Sequence, residues 1–487
     1  MAKALALLGT MSSVGKSLLT ALLARHFSRR GLKVFPFKAQ NMSLNAFATH
    51  EGEMAYAQVF QAWAAGREPS VRMNPLLLKP MGNMTSEIIF LGRSQGVLPS
   101  QEFRAYKAFY KEKIWEILEG VWAENDLILI EGAGSLAELN LLENDFVNYE
   151  IVKRYEIPFV LIGDIDRGGV FSQIWGTYEL VPELKGLSLG FVINKFRGSQ
   201  GLFEEGRRLL EAKTGKPCLG ILSFLSESVF EEDSASLGLP RGRFLSHGLR
   251  LAVLYYPHIS NYLDFDPLRA ESGVELILTD DPRELDAAHV ILLPGSKNTV
   301  ADLAYLRERG LDVLLAEASR TKIIVGLCGG FQMLGQSIKD QGVENQGEFP
   351  GLGLLPHETI FLPEKLARSL RLKVSFPFYE GELKGFEIRY GRSFLEGREV
   401  TWLCQGHVLG TYLHGLFYND TFREAFLNYV RQKVGLRPQK SLSFVQYINQ
   451  KLDEILSLED FAHFVHKVET QLKSFDGFRQ EPLRISL

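Results

Sequence analysis

Cysteine is scarce in this chain: three among 487 residues, an odd number and far apart. That usage excludes a disulfide framework and suits a reducing, cytoplasmic compartment. Long apolar runs are missing as well. No stretch approaches the roughly 20 residues that span a bilayer, and the apolar run at 5–8 is too short for the core of a signal peptide. Neither membrane insertion nor secretion is expected. Positive charge is not in excess, since 54 Lys and Arg face 58 Asp and Glu for a formal charge of −4. The chain therefore lacks the basic footprint of a nucleic-acid binder. Low-complexity tracts and internal repeats are absent too. What remains, 46% hydrophobic and 23% charged residues, is the composition of a folded chain. Its length is about three times the ~150 residues of one domain, so two or three domains are expected.

The first half alternates apolar runs with helical patterns, which predicts parallel strands joined by right-handed crossovers. Residues 4–8 read as a buried strand, 16–30 as an amphipathic helix stopped by Gly31, and 33–37 as the next strand. Further strands are expected at 127–130, 159–162, 187–193 and 219–224, each apolar on both faces and followed by Gly, Asp or Asn. The pattern fails in the polar, Gly- and Pro-punctuated stretch 226–248. A second series follows at 251–255, 274–278, 290–293 and 323–327. Alternation between 357 and 410 predicts antiparallel strands added to that second sheet. The fold class expected is α/β, with two doubly wound, mostly parallel sheets in separate domains. Their bounds are 1–230 and 248–436, with a linker at 231–247 and a helical extension at 437–487 that would cover the second domain.

Gly9 to Ser17, GTMSSVGKS, lies between a predicted strand and a predicted helix. Glycines there turn backbone amides toward an anion, the helix N-terminus adds partial positive charge, Lys16 neutralises phosphate, and Ser17 can hold Mg²⁺. Thr10, Ser12, Gly15, Lys16 and Ser17 are thus expected to bind nucleotide, although five residues rather than the usual four separate Gly9 from Gly15. Glu131 ends an apolar strand and is placed for Mg²⁺, directly or through water; a capping glutamate is the plainer reading. Asp164 and Asp166 in GDIDRGG could face phosphates or substrate, but Asp is also a common turn residue. Asn194 could read the adenine edge.

Gly326-Leu327-Cys328-Gly329-Gly330 follows an apolar strand and precedes an apolar helix. Small residues on both sides of Cys328 permit the sharp turn that exposes a nucleophile, and a helix N-terminus behind it favours thiolate. Cys218 and Cys404 read as structural. Among ten histidines, His414 in GTYLHGLF is the best placed to serve as base, just after a predicted strand and before the turn Asn419-Asp420; His258, His357 and His407 are weaker candidates.

The long phosphate loop resembles the variant in dethiobiotin synthetase, and the thiol turn resembles class I glutamine amidotransferases. Taken with FKAQNMSLN, MNPLLLKP, LIEGAGSLAELNL, GDIDRGGVF, VINKFRG, ISNYLDFDPL and LPGSKNT, the chain resembles the cobyric acid synthase family from Gly9 to about Arg431. The resemblance implies that the first domain uses MgATP to phosphorylate the b, d, e and g carboxylates of adenosylcobyrinic acid a,c-diamide. The second would release ammonia from glutamine through a thioester on Cys328, with His414 as base. Gln40, Asn41, Ser43, Asn45, Asp145 and Asp166 are carried as substrate candidates, and Ser17 and Glu131 as metal candidates. Two positions depart from pattern. Leu416 stands where many class I amidotransferases place the glutamate that orients the histidine, and Arg389 stands where a histidine is expected. Two alternatives remain: a synthase of the a,c-diamide itself, and a P-loop ATPase switch of the chromosome-partitioning type with a degenerate second domain. The oligomeric state is not legible.

Overall fold

The computed structural model describes residues 3–225 except 44, 50, 83, 143 and 144, together with 244 and 248–475. Apart from Phe244, the expected linker at 231–247 lies outside the described residues. The chain forms two compact units, one of residues 3–43, 54–225 and 448–475, the other of residues 45–53 and 248–447.

The first unit is built on a six-stranded parallel sheet in the order Cys218–Ser223, Ser188–Phe196, Phe159–Asp164, Lys3–Gly9, Leu127–Glu131, Val34–Phe37. Leu5, Ala6, Leu7 and Leu8 are fully buried, because helices cover both faces of such a sheet. Val34–Phe37 contains Pro36, which cannot donate to a ladder and is confined to an edge strand. Helix Lys16–Arg29 buries Leu19, Leu22, Leu23 and Phe27, and Gly31, at φ 85°, ends it. The strand order reverses around Lys3–Gly9, so the loops at the carboxyl ends of the central strands converge on one crevice.

A second sheet in this unit was not anticipated. It has four strands, Gln40–Met42, Leu76–Gly82, Thr85–Phe90 and Arg93–Pro99. The last is exposed along most of its length, so no apolar pattern marks it. The C-terminal extension also differs from expectation, for it completes the first unit instead of covering the second. Helix Glu459–Ser474 buries Phe461, Phe464, Val465, Val468 and Leu472 and packs on edge strand Cys218–Ser223. Gly220 provides the flat seat, since a Cβ there would lie 3.1 Å from that of Phe464. Asp460 caps the strand end through the Ser223 amide (2.7 Å). Asp453 accepts from Arg25 (2.8 and 2.9 Å) and Arg29 (3.0 Å), while Glu469 meets His26 (3.2 Å) and Arg30. An open sheet edge needs covering, and this apolar helix face covers it.

The second unit holds a six-stranded sheet in the order Val274–Thr279, Leu249–Leu254, Val290–Leu293, Ile323–Leu327, Val408–Thr411, Trp402–Gln405. Only the last strand is antiparallel. The remaining alternation between 357 and 410 does not join it, contrary to expectation. Glu358–Phe376 and Tyr379–Leu395 form a long hairpin in a separate five-stranded sheet with Ser337–Gln341, Gln346–Pro350 and Arg398–Val400. Strands that alternate polar and apolar side chains cannot be buried on both faces.

Candidate active site

In the first unit, Gly15 sits at φ 98° ahead of helix Lys16–Arg29. Lys16 is buried, and its ammonium donates to the carbonyls of Met11 (3.0 Å) and Gly134 (3.2 Å). Thr10 bonds Ile162 O (3.3 Å) and Gln173 Oε1 (3.1 Å), whereas Ser12 is exposed on the loop. Glu131 is the buried hub. Its Oε1 accepts from Ser17 Oγ (2.8 Å) and Lys38 Nζ (2.7 Å), and its Oε2 accepts from Gln58 (3.2 Å) and Gln61. Burial alone would raise this carboxyl, but Lys38, Gln61 and Ser17 outweigh it and hold it below the usual range. Asn41 donates to Gln58 Oε1 (3.1 Å), which joins the KAQNMSLN motif to the same network. Lys38, Gln58 and Gln61 escaped sequence reading; Lys38 lies inside FKAQNMSLN, whereas the two glutamines sit on helix Tyr56–Ala64 without a motif.

Ser17 and Glu131 offer hard oxygens of the kind Mg²⁺ takes alongside phosphates. Gln61 Oε1, buried and without a hydrogen-bond partner among the described residues, adds a third acceptor beside them. The set fits the ion, and each Glu131 oxygen already accepts two hydrogen bonds.

The other expected residues divide. Asn194 gives one amide hydrogen to Val14 O (2.7 Å), bracing the phosphate loop. Asp164 holds the Asp166 amide (2.8 Å) and Lys195 (3.0 Å), while Asp166 pairs with Arg197 (2.6 Å). Asp145 accepts from the amides of Val147 and Asn148 (3.1 and 2.9 Å). Asn148 in turn staples Ala133 through both its backbone groups (2.9 and 2.8 Å), so Asp145 shapes the loop that carries Gly134. Gln40 is half-buried and Ser43 buried at the end of strand Gln40–Met42, while Asn45 is buried in the second unit.

In the second unit, Cys328 occupies φ 51°, ψ −105° between strand Ile323–Leu327 and helix Gly329–Leu334. That strained conformation is the mark of a nucleophile turn. A Cβ at Gly326 would fall 2.5 Å from Leu334, and one at Gly330 would fall 2.2 Å from Leu293 O, so only glycine admits the turn. The thiol reaches Ile388 O at 3.6 Å. Ser296, on the short strand Gly295–Ser296, brings its amide nitrogen to within 2.6 Å of where a Gly329 Cβ would stand. An amide that close to the nucleophile turn can serve an oxyanion. Asp302 holds that strand by accepting from Ser296 Oγ (2.5 Å) and pairing with His258 Nδ1 (2.8 Å).

His414 is fully buried, and its Nδ1 meets Asp264 Oδ2 at 2.7 Å; the other Asp264 oxygen accepts the Gly415 amide at 2.8 Å. Its Nε2 has no hydrogen-bond partner within bonding distance among the described residues. Burial opposes charge on this imidazole, yet Asp264 and Cys328 together raise it to about 10. The triad's third member, absent at Leu416, thus comes from 150 residues earlier in the chain. The motif ISNYLDFDPL contains it, but nothing in the spacing ties Asp264 to His414. Leu416 itself is core. The other histidines are engaged elsewhere: His357, whose burial lowers it to about 4, bonds Phe331 O (3.1 Å), and His407 faces Lys433. Arg389 is buried over the Tyr412 ring and bonded to Glu387 (2.8 Å), Glu399 (2.7 Å) and Gly391 O (2.8 Å). In this chain the position is structural.

Residues 5–235 match the CobQ/CobB/MinD/ParA nucleotide binding domain and residues 250–422 the CobB/CobQ-like glutamine amidotransferase domain. The chain is 44% identical to the cobyric acid synthase of Desulforudis audaxviator, covering 94% of this chain and 96% of that one. It is 42% identical to the probable cobyric acid synthase of Thermococcus kodakarensis (90% and 93% covered) and 41% identical to the cobyric acid synthase of Nostoc punctiforme (93% and 97%).

Proposed function

Because the chain belongs to the cobyric acid synthase family, we propose that it amidates the b, d, e and g carboxylates of adenosylcobyrinic acid a,c-diamide, with glutamine as nitrogen donor and ATP as activator. Similarity over nearly the full length of these relatives carries the reading. It favours this reaction over formation of the a,c-diamide and over an ATPase switch.

The Cys328 thiolate attacks the glutamine side-chain amide, and the Ser296 amide stabilises the oxyanion. His414, charged and held by Asp264, gives its proton to the leaving nitrogen. Ammonia departs, leaving a γ-glutamyl thioester. His414, now neutral, takes a proton from the water that hydrolyses it. In the first unit, Lys16 and the phosphate loop hold the triphosphate while a corrinoid carboxylate oxygen attacks the γ-phosphorus and ADP leaves. Ammonia then displaces phosphate from the acyl phosphate, forming the amide. Mg²⁺ near Ser17 and Glu131 would supply charge neutralisation on the phosphates. Lys38, beside Glu131, offers a second cation to the same site.

The test is incubation of the protein with ATP, glutamine and adenosylcobyrinic acid a,c-diamide, with amides counted by mass spectrometry. Stepwise formation of the tetra-amidated product supports the reading. Amidation of cobyrinic acid at a and c, or ATP turnover without glutamine hydrolysis, contradicts it.

A further inference from the structure

The chain leaves strand Gln40–Met42, which carries acceptor-site candidates, and runs directly into residues 45–53 of the second unit. There strand Ala46–Ala48 is tied down on the long hairpin. Ser369 Oγ donates to Thr49 O (2.7 Å), and Lys365 faces Glu53 at 3.6 Å. Phe47 lays its ring against Phe386 (centroids 5.2 Å apart) and Tyr418 (5.8 Å).

Both of those rings support the thiol site. Phe386 lies nearly parallel to the His414 imidazole, 5.2 Å away at 19°. The backbones of the two residues exchange hydrogen bonds of 2.8 and 3.1 Å. Ile388 packs in the same small apolar cluster with Phe386 and Phe47, and its carbonyl is the one that faces the Cys328 thiol. Tyr418 donates to Leu263 O (3.0 Å), one residue before Asp264. Phe47 therefore backs the shelf on which the nucleophile, base and carboxylate are aligned.

We propose that Phe47 is a positioning residue for glutamine hydrolysis, seating His414 through Phe386 and Tyr418. The inference rests on the glutaminase reading of Cys328 and His414. Misplacing a catalytic group by about 1 Å can cost ~10²-fold in rate, and removing a ring that acts at one remove should cost less.

The experiment measures kcat and KM for glutamine hydrolysis in wild type, Phe47→Ala and Phe47→Leu. Ammonia-driven amidation is measured in parallel on the same preparations. Phe47→Ala should lower kcat by roughly 10- to 30-fold with KM for glutamine nearly unchanged. Phe47→Leu should recover most of the rate. Ammonia-driven amidation should be the same in all three, which also shows that the variants fold. An unchanged kcat, an effect confined to KM, or an equal loss of ammonia-driven amidation overturns the proposal. Glutamine hydrolysis that survives Cys328→Ala would instead overturn the underlying reading, whatever Phe47 does.

Discussion

Replacing Asp264 with asparagine leaves shape and one carbonyl acceptor for the Gly415 amide but removes the charge that holds His414. Raising a fully buried imidazole from 6.5 to about 10 corresponds to about 5 kcal/mol of preference for the charged form. Asp264 and the Cys328 thiol share that effect, so the variant should forfeit on the order of 2–3 kcal/mol, or about 10²-fold in kcat/KM for glutamine at neutral pH. Burial, less offset without Asp264, pulls the imidazole back toward neutrality. The alkaline limb of the rate profile, where His414 loses the proton it gives to the leaving nitrogen, should therefore move to lower pH. Stability follows the same sign. The folded value lies above the unfolded one, so this contribution is complete below about 6.5 and lost as pH rises through about 10. Thermal melts of wild type and Asp264→Asn should thus differ most below about pH 6.5 and converge as the pH rises toward about 10. The assay is glutamate release from glutamine across pH. A variant within twofold of wild type, with an unshifted profile, would refute the assignment of Asp264 as the orienting carboxylate.

Lys16→Ala should abolish amidation with either nitrogen source, because no other residue in the loop neutralises the phosphates; ATP-dependent amide formation near the wild-type rate would contradict this. Glu131→Gln removes the hub charge and leaves the buried Lys38 ammonium without its carboxylate. The expected result is a weaker response to Mg²⁺ and a loss of stability of about 3–5 kcal/mol, measured by Mg²⁺ titration and denaturant unfolding. Phe464→Ala opens the seat at Gly220 and should cost about 3–5 kcal/mol. Deletion of residues 448–487 should likewise destabilise the nucleotide-binding unit and spare glutamine hydrolysis.

Much of this was legible because parallel sheets enforce it. Strands buried on both faces must be short, apolar and followed by turn residues, so 4–8, 127–130 and 159–162 announce themselves, as do Gly9–Ser17 and Gly326–Gly330 at strand-to-helix turns. Features that depend on distant partners were not legible. Asp264 and His414 come together only because the chain returns to the same sheet end, and sequence spacing carries no trace of that meeting. Helix Glu459–Ser474 has a clear apolar face, but its seat on Cys218–Ser223 depends on which sheet edge stands open. The ion pairs that hold Arg389, to Glu387 and Glu399, likewise leave no mark in the local spacing.

Two nitrogen donors given to one variant test the central claim most directly. Cys328→Ala removes the thiol held beside His414 and leaves the phosphate loop untouched. With ATP and the corrinoid a,c-diamide, it should hydrolyse no glutamine and form no amide from it. With ammonia supplied at a pH where enough is unprotonated, it should amidate the corrinoid at a rate close to that of wild type given ammonia. Loss of the ammonia-driven reaction from a folded Cys328→Ala protein would contradict the assignment of nitrogen release and carboxylate activation to separate sites.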